Sequence, residues 1–263
     1  MDLGLKDKVA LVAAGSRGLG RAVAEELAAE GASLVLCARD AATLAETTAV
    51  IADQTGAHVL GVPADVTEAA QVKQLVASGI DRFGRIDILV TNAGGPPAGR
   101  FDQLTQEQWE HAARLTLYSA VHLAREVLPG MKTRRWGRIL NITSIAVKQP
   151  VENLLLSNSL RAAVTGFART LANEVASEGI TVNNILPGYT RTERLEDLAR
   201  MMAEKQGISA SEFSGKWEAE IPMGRLGEPR EFAALAAFLV SERASYITGT
   251  SIQVDGGWIR SLI

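Results

Sequence analysis

Short apolar runs alternate along the whole chain with longer stretches of helical period, and that alternation leaves few folds open. The runs are Val9–Ala13, Ser33–Ala38, His58–Pro63, Ile86–Thr91, Arg138–Thr143, Thr181–Leu186 and Ser251–Val254. Each is short and nearly continuous in apolar character, the pattern of a strand covered on both faces. Between them lie segments such as Gly20–Glu30, in which Val23, Leu27 and Ala28 share one helical face. The repetition predicts an α/β fold, a doubly wound parallel sheet of about seven strands flanked by helices. Runs that end in Ala, Asn, Ser or Pro-Gly loops gather polar residues at the edge where open α/β sheets bind ligands.

A chain of 263 residues with 47% hydrophobic content is long enough for one large core, and a single domain over 1–263 is expected. The formal charge is −3, without a block of like charges, which argues against a nucleic-acid footprint or a basic membrane-binding face. Lys132-Thr-Arg-Arg135 reads as a solvated helix end. Cys37 is the only cysteine and sits in an apolar run, so a buried small hydrophobe is expected rather than a reactive thiol. Residues 1–8 lack the apolar core of a signal peptide, and no apolar stretch reaches the roughly 20 residues of a membrane span. A cytoplasmic location follows as an expectation. His58, His111 and His122 are scattered, with no metal-ligand spacing.

Residues 190–226 break the alternation. Leu195, Leu198, Met201 and Met202 fall at helical spacing; after a break at Gln206-Gly207 come Phe213, Trp217, Ile221 and Met223. This is either an extra helical pair packed on the core or a lid over a substrate pocket. Its position after the Pro187-Gly188 loop favours the lid.

Between the first strand and the first helix stands Ala13-Ala14-Gly15-Ser16-Arg17-Gly18-Leu19-Gly20. Glycines let the backbone turn tightly and approach a diphosphate, while the helix N-terminus offers free N–H groups and a positive dipole. Ala14 carries a methyl group that opposes positive φ, so a locally different turn is expected there. Further on come Ala64-Asp65-Val66 after the third strand, Thr91-Asn92-Ala93-Gly94 after the fourth, Pro187-Gly188-Tyr-Thr-Arg-Thr192 after the sixth, and Asp255-Gly-Gly257 at the end.

In this order and spacing, from about Lys8 to Trp258, these motifs resemble the short-chain dehydrogenase/reductases, a Rossmann-fold family, and its 3-oxoacyl-acyl-carrier-protein reductases. The resemblance implies that Asp65 and Val66 meet the adenine, that Asn92, Ala93 and Gly94 line the adenosine half, and that Pro187, Gly188 and Thr192 back the nicotinamide. It also implies a homotetramer formed through the helices after Thr105 and Glu152 and the last strand, with Leu115, Val121 and Leu128 as compatible apolar positions. Charge selects the cofactor. Where NAD-users of this fold place an acid after the second strand, this chain has Arg39; with Arg17 it could fork a 2′-phosphate, so NADP(H) is expected. Asp40 is read as the cap of the next helix.

The catalytic stretch departs from the family. Ser144 matches the serine that polarises the substrate carbonyl, but the Tyr-x-x-x-Lys pair is replaced by Ser157 and Arg161, and the family's helix asparagine by Thr116. A serine hydroxyl is far less acidic than a phenol and its side chain is shorter, whereas Arg161 could still hold the nicotinamide ribose. Tyr118, Tyr189 and Lys148 are the available substitutes, Tyr189 foremost because of its loop. Two readings stand: an NADP(H)-dependent oxidoreductase interconverting a ketone and an alcohol, whose apolar segment 190–226 suits an acyl or other lipophilic small molecule; or a non-catalytic NADP(H)-binding sensor or partner subunit.

Overall fold

Side chains of the first strand divide strictly between two cores. In β1 (Val9–Ala13), Ala10 and Val12 enter one apolar cluster while Val9, Leu11 and Ala13 enter the other. This two-residue period is what a strand sandwiched between helical layers requires.

The computed structural model describes residues 1–262. Its strands β1, β2 (Ser33–Ala38), β3 (Val59–Pro63), β4 (Ile88–Thr91), β5 (Gly137–Ile142), β6 (Ile180–Pro187) and β7 (Ser251–Val254) form one sheet in the order β3-β2-β1-β4-β5-β6-β7. Every pairing is parallel. The sequence-based boundaries shift by a residue or two. Ile86 and Asp87 precede β4, because the buried Asp87 carboxylate accepts from the Val9 N–H (3.0 Å) and pairs with Arg85 (2.7 Å). The strand order reverses between β1 and β4, and the crossover connections diverge there to leave a cleft at the carboxyl edge.

The helices are α1 (Gly18–Ala29), α2 (Ala41–Thr55), α3 (Ala69–Phe83), α4 (Gln106–Ala113), α5 (Ser119–Arg134), α6 (Leu155–Val175), α7 (Glu193–Gln206), α8 (Ala210–Glu220) and α9 (Pro229–Leu239). α1, α2 and α9 cover one face of the sheet, and α3, α5 and α6 the other. A π-helical turn, Arg114–Tyr118, joins α4 to α5. Side chains also tie the sheet laterally: Thr91 Oγ1 donates to Asn141 Oδ1 (2.7 Å), Asn141 Nδ2 to Asn184 Oδ1 (3.1 Å), and Asn184 Nδ2 to Ser251 Oγ (3.1 Å). This ladder satisfies buried amides across β4 to β7, so they cost little on burial.

α7 and α8 close a small core of their own, with Ala199, Ala203, Phe213, Trp217, Ile221 and Leu226 buried in it. Gly207 (φ +66°) ends α7 at the break seen in the sequence. Met201 and Met223 point outward. Cys37 is fully buried, and burial pushes its thiol up to about 11, as an inert core residue requires. Among the described residues no helix is long and apolar enough to cross a membrane.

Candidate active site

The chain leaves β1 through Ala14, which takes up a left-handed conformation at φ +48°. Its methyl group opposes that conformation, yet the chain adopts it, so other contacts of the turn offset a penalty of about 1–2 kcal/mol for an L-residue in this region. Gly15 N–H donates to the Cys37 carbonyl (3.0 Å), closing the turn on the end of β2. A side chain on Gly20 would collide with the Ala14 carbonyl oxygen and stand 2.8 Å from Asn92 Nδ2. Arg17 is extended at the start of α1 and no side chain caps the helix, so its first N–H groups face the cleft. Ser16 is buried, its carbonyl accepting from Thr47 Oγ1 (3.0 Å), and Leu19 packs on the core. Both serve the turn through their backbone.

At the end of β2, Arg17 Nη2 donates to Thr43 Oγ1 (3.0 Å), and Asp40 caps α2 by accepting from Thr43 N–H (2.6 Å). Arg39 is exposed, with its charge directed at Asp65. Partial burial pushes the Asp65 carboxyl up, but hydrogen bonds from Thr67 N–H (2.9 Å) and Oγ1 (2.8 Å), with the charges of Arg39 and His111, hold it below the usual range. Val66 turns its side chain into the core, so only its backbone is available to a ligand. Ala93 packs on the same core, and Gly94 borders open space.

Pro187 ends β6. Gly188 N–H donates to the Val254 carbonyl (2.9 Å), and the Asp255 backbone lies 2.7 Å from where a Gly188 side chain would begin. Thr192 caps α7 by accepting from Leu195 N–H (3.3 Å), and its methyl lies 3.7 Å from where a Gly18 side chain would begin. The start of α7 is thereby set against the glycine turn.

Ser144 caps the short 3₁₀ turn Ile145–Val147, its Oγ accepting from Ala146 N–H (3.1 Å), which leaves its hydroxyl hydrogen free to donate. Ser157 and Arg161 lie one turn apart on α6. Arg161 Nε donates to Ser157 Oγ (3.2 Å), and Nη1 donates to the carbonyls of Ile142 (3.1 Å) and Thr143 (2.7 Å). Burial, reinforced by the like charge of Arg194, lowers the Arg161 guanidinium to about 10, so it stays charged at neutral pH. Beneath it is a cavity of about 20 Å³ lined by Asn92, Thr116, Ser119, Thr143 and Arg161 among others. Thr116 Oγ1, in the π turn, and Thr143 Oγ1 are buried without a hydrogen-bond partner. The space suffices for one water, which needs at least about 10–15 Å³.

None of the three substitute proton donors is placed for that role. Tyr189 stacks on Trp217 (5.3 Å) and meets Trp258 edge-on, and burial with the Glu220 charge pushes its phenol up, away from working pH. Lys148 Nζ donates to Gln253 on β7 (2.8 Å), and Tyr118 is exposed. Three residues that sequence reasoning passed over also belong to the cleft: Thr143, Gly95 and Arg194. A side chain on Gly95 would collide with the Arg194 guanidinium. The available signals were the Gly94-Gly95 doublet and an arginine two places after the Thr192 cap.

A family model described as enoyl-(acyl carrier protein) reductase matches residues 13–259. The 3-oxoacyl-[acyl-carrier-protein] reductase FabG of Vibrio cholerae is 35% identical over 255 residues, covering 97% of this chain and 98% of that protein. A monensin polyketide synthase putative ketoacyl reductase of Streptomyces virginiae is 36% identical over 252 residues, covering 95% and 96% of the two chains. The structure of L-sorbose reductase from Gluconobacter frateurii, complexed with NADPH and L-sorbose, superposes with a TM-score of 0.96 at 36% identity over the whole of both chains.

Proposed function

The chain belongs to the short-chain dehydrogenase/reductase family, and from that premise we propose that it is an NADP(H)-dependent oxidoreductase interconverting a ketone and an alcohol. The observation that carries the reading is the uncapped start of α1, which Gly20, having no side chain, lets pack directly against the Ala14 carbonyl and Asn92. Free N–H groups at such a helix start suit a diphosphate. Arg17, in the glycine turn, and Arg39, after β2, are the cations that would fork a 2′-phosphate, and the sorbose reductase relative is complexed with NADPH. In this reading Asp65 and the Val66 backbone hold the adenine, Asn92, Ala93 and Gly94 line the adenosine half, and Pro187, Gly188 and Thr192 back the nicotinamide.

Bound there, NADPH supplies the hydride that reduces the substrate carbonyl. The chain's own part is placement and charge. Ser144 donates its free hydroxyl hydrogen to the carbonyl oxygen, where negative charge develops. Arg161 keeps one nitrogen, Nη2, free of protein partners to meet the nicotinamide ribose. The proton comes from a water held near Thr116, Thr143 and Arg161, since among the described residues Tyr118, Tyr189 and Lys148 are not poised to give it. General acid–base help is worth about 10²–10⁴-fold, so a slower enzyme than its relatives follows. Helices α7 and α8 close over the substrate as a lid, and a homotetramer forms through α4, α5, α6 and the last strand.

One observation favours the second reading, a non-catalytic NADP(H)-binding partner: Ser157 Oγ serves as an acceptor for Arg161, which also bonds to backbone, and neither group has the acidity of a phenol. Fluorescence titration with NADPH and NADH, followed by NADPH oxidation with β-keto thioesters, ketones and quinones, separates the two. Turnover of any of these supports the enzyme; tight NADPH binding without turnover leaves the binding protein. Activity gained by Ser157→Tyr with Arg161→Lys would mark an otherwise intact site.

A further inference from the structure

Arg17 joins two helices at the carboxyl edge of the sheet. Its Nη2 donates to Thr43 Oγ1 (3.0 Å) in the first turn of α2, and its Nη1 lies 3.8 Å from the Glu193 carboxylate in the first turn of α7. Thr43 follows closely on Arg39, so this arm keeps Arg17 near the end of β2. The Glu193 arm is the weaker one. At 3.8 Å it is longer than the about 2.7–2.9 Å of a charge-assisted hydrogen bond, and both side chains are largely exposed, at 61% and 72%. Glu193 does not depend on Arg17, because a carboxylate in the first turn of a helix is already favoured by the helix dipole. Nor can it drift far. Its neighbour Thr192 caps α7 and sits against the glycine turn, with its methyl 3.7 Å from where a Gly18 side chain would begin. A negative charge is thus held beside Arg17 by the fold rather than by the ion pair.

A 2′-phosphate is a second anion for the same guanidinium. Arg17 grips it best by turning both terminal nitrogens towards it, and Nη1 does so only by leaving Glu193. We propose that Glu193 is a specificity-determining residue for the cofactor: its carboxylate competes with the 2′-phosphate for Arg17 and so weakens NADP(H), while NAD(H), with no phosphate at that position, is unaffected. The inference rests on the cofactor reading above. Exposed ion pairs are weak, which bounds the effect at about two- to fivefold. Product NADP⁺ carries the same phosphate, so the carboxylate that lowers affinity also hastens product release. A purely structural role for Glu193, tying α7 to the glycine turn, predicts the opposite sign: its removal would loosen the site for both nucleotides.

The test is a double-mutant cycle read by fluorescence titration with NADPH and NADH, on the wild-type protein, Glu193→Gln, Arg17→Ala and the double variant. Glu193→Gln should tighten NADPH by about two- to fivefold and leave NADH within about 1.5-fold. In the Arg17→Ala background the same substitution should change NADPH by less than about 1.5-fold, because the contested cation is gone. A gain for NADPH below that range, or a loss, overturns the proposal. An equal gain for NADH overturns it as well, since the 2′-phosphate would then play no part. A gain that persists without Arg17 also overturns it, replacing competition by direct repulsion. Wild-type protein that binds neither nucleotide would sink the cofactor reading and the inference together, whereas intact NADPH binding that Glu193→Gln leaves unchanged would sink the inference alone.

Discussion

Arg161 Nε donates to Ser157 Oγ across one turn of α6, at 3.2 Å, while Nη1 reaches two carbonyls at the end of β5. The pair that replaces the family's Tyr-x-x-x-Lys is thus also a brace between helix and sheet. Arg161→Ala leaves those carbonyls short of a donor and should cost about 1–3 kcal/mol in urea unfolding. Ser157→Ala removes only a side-chain acceptor and should cost less than about 1 kcal/mol. Equal losses would show that Ser157 has structural contacts beyond Arg161.

Ala14 holds a backbone conformation that suits glycine, and it is the one non-glycine residue at positive φ in the turn from Ala13 to Gly20. Ala14→Gly should raise stability by about 0.5–1 kcal/mol, the relief at positive φ exceeding the added freedom of the unfolded chain. A thermal melt that falls instead would mean that the methyl group makes contacts worth more than the strain.

Gly20→Ala tests the same turn from the other side, since the new methyl group meets the Ala14 carbonyl head-on. Overpacking of this kind typically costs about 1–3 kcal/mol. NADPH affinity should fall at least about tenfold, because relief requires the turn to open. Retained affinity, read by fluorescence titration, would show that the diphosphate does not lie there.

Arg39 is exposed at the end of β2, with Asp65 as its charged neighbour. Arg39→Ala should weaken NADPH by about tenfold or more and leave NADH within about twofold, as loss of a charge-assisted contact to the 2′-phosphate demands. Equal effects on the two nucleotides would remove the assignment.

Glu231, at the start of α9, accepts from both terminal nitrogens of Arg225 (2.8 and 2.7 Å) and from Glu228 N–H (2.8 Å). The Arg225 hydrogen bonds, then that of Glu228, bring its carboxyl down to about 2. A depressed carboxylate contributes stability above its unfolded value, near 4.3, that is lost as pH falls towards 2. Glu231→Gln should therefore flatten the decline of melting temperature between about pH 4.5 and 2. An acid limb of unchanged slope would show that the pair is too well solvated to matter.

What the linear chain determined was whatever depends on near neighbours. The two-residue period of Val9–Ala13 marks a strand between two layers, and the Gly15, Gly18 and Gly20 spacing marks a turn that brings backbone close to an anion. Asp40 before Ala41 marks a cap. Each follows from covalent geometry and the steric limits of single residues, so it was legible before any fold was known. That Ala14 takes up the positive φ its methyl group opposes, in a turn closed by the hydrogen bond from Gly15 to Cys37, was not.

Only the tertiary structure decided what the cleft contains. Tyr189 had the right address in sequence, but Trp217 and Trp258 draw its ring into the core of the α7–α8 pair. Arg194 and Gly95 come from distant parts of the chain, and their contact depends on how α7 is set against the sheet. No period or spacing records such an encounter, because it is fixed by packing between elements rather than by the chain within them.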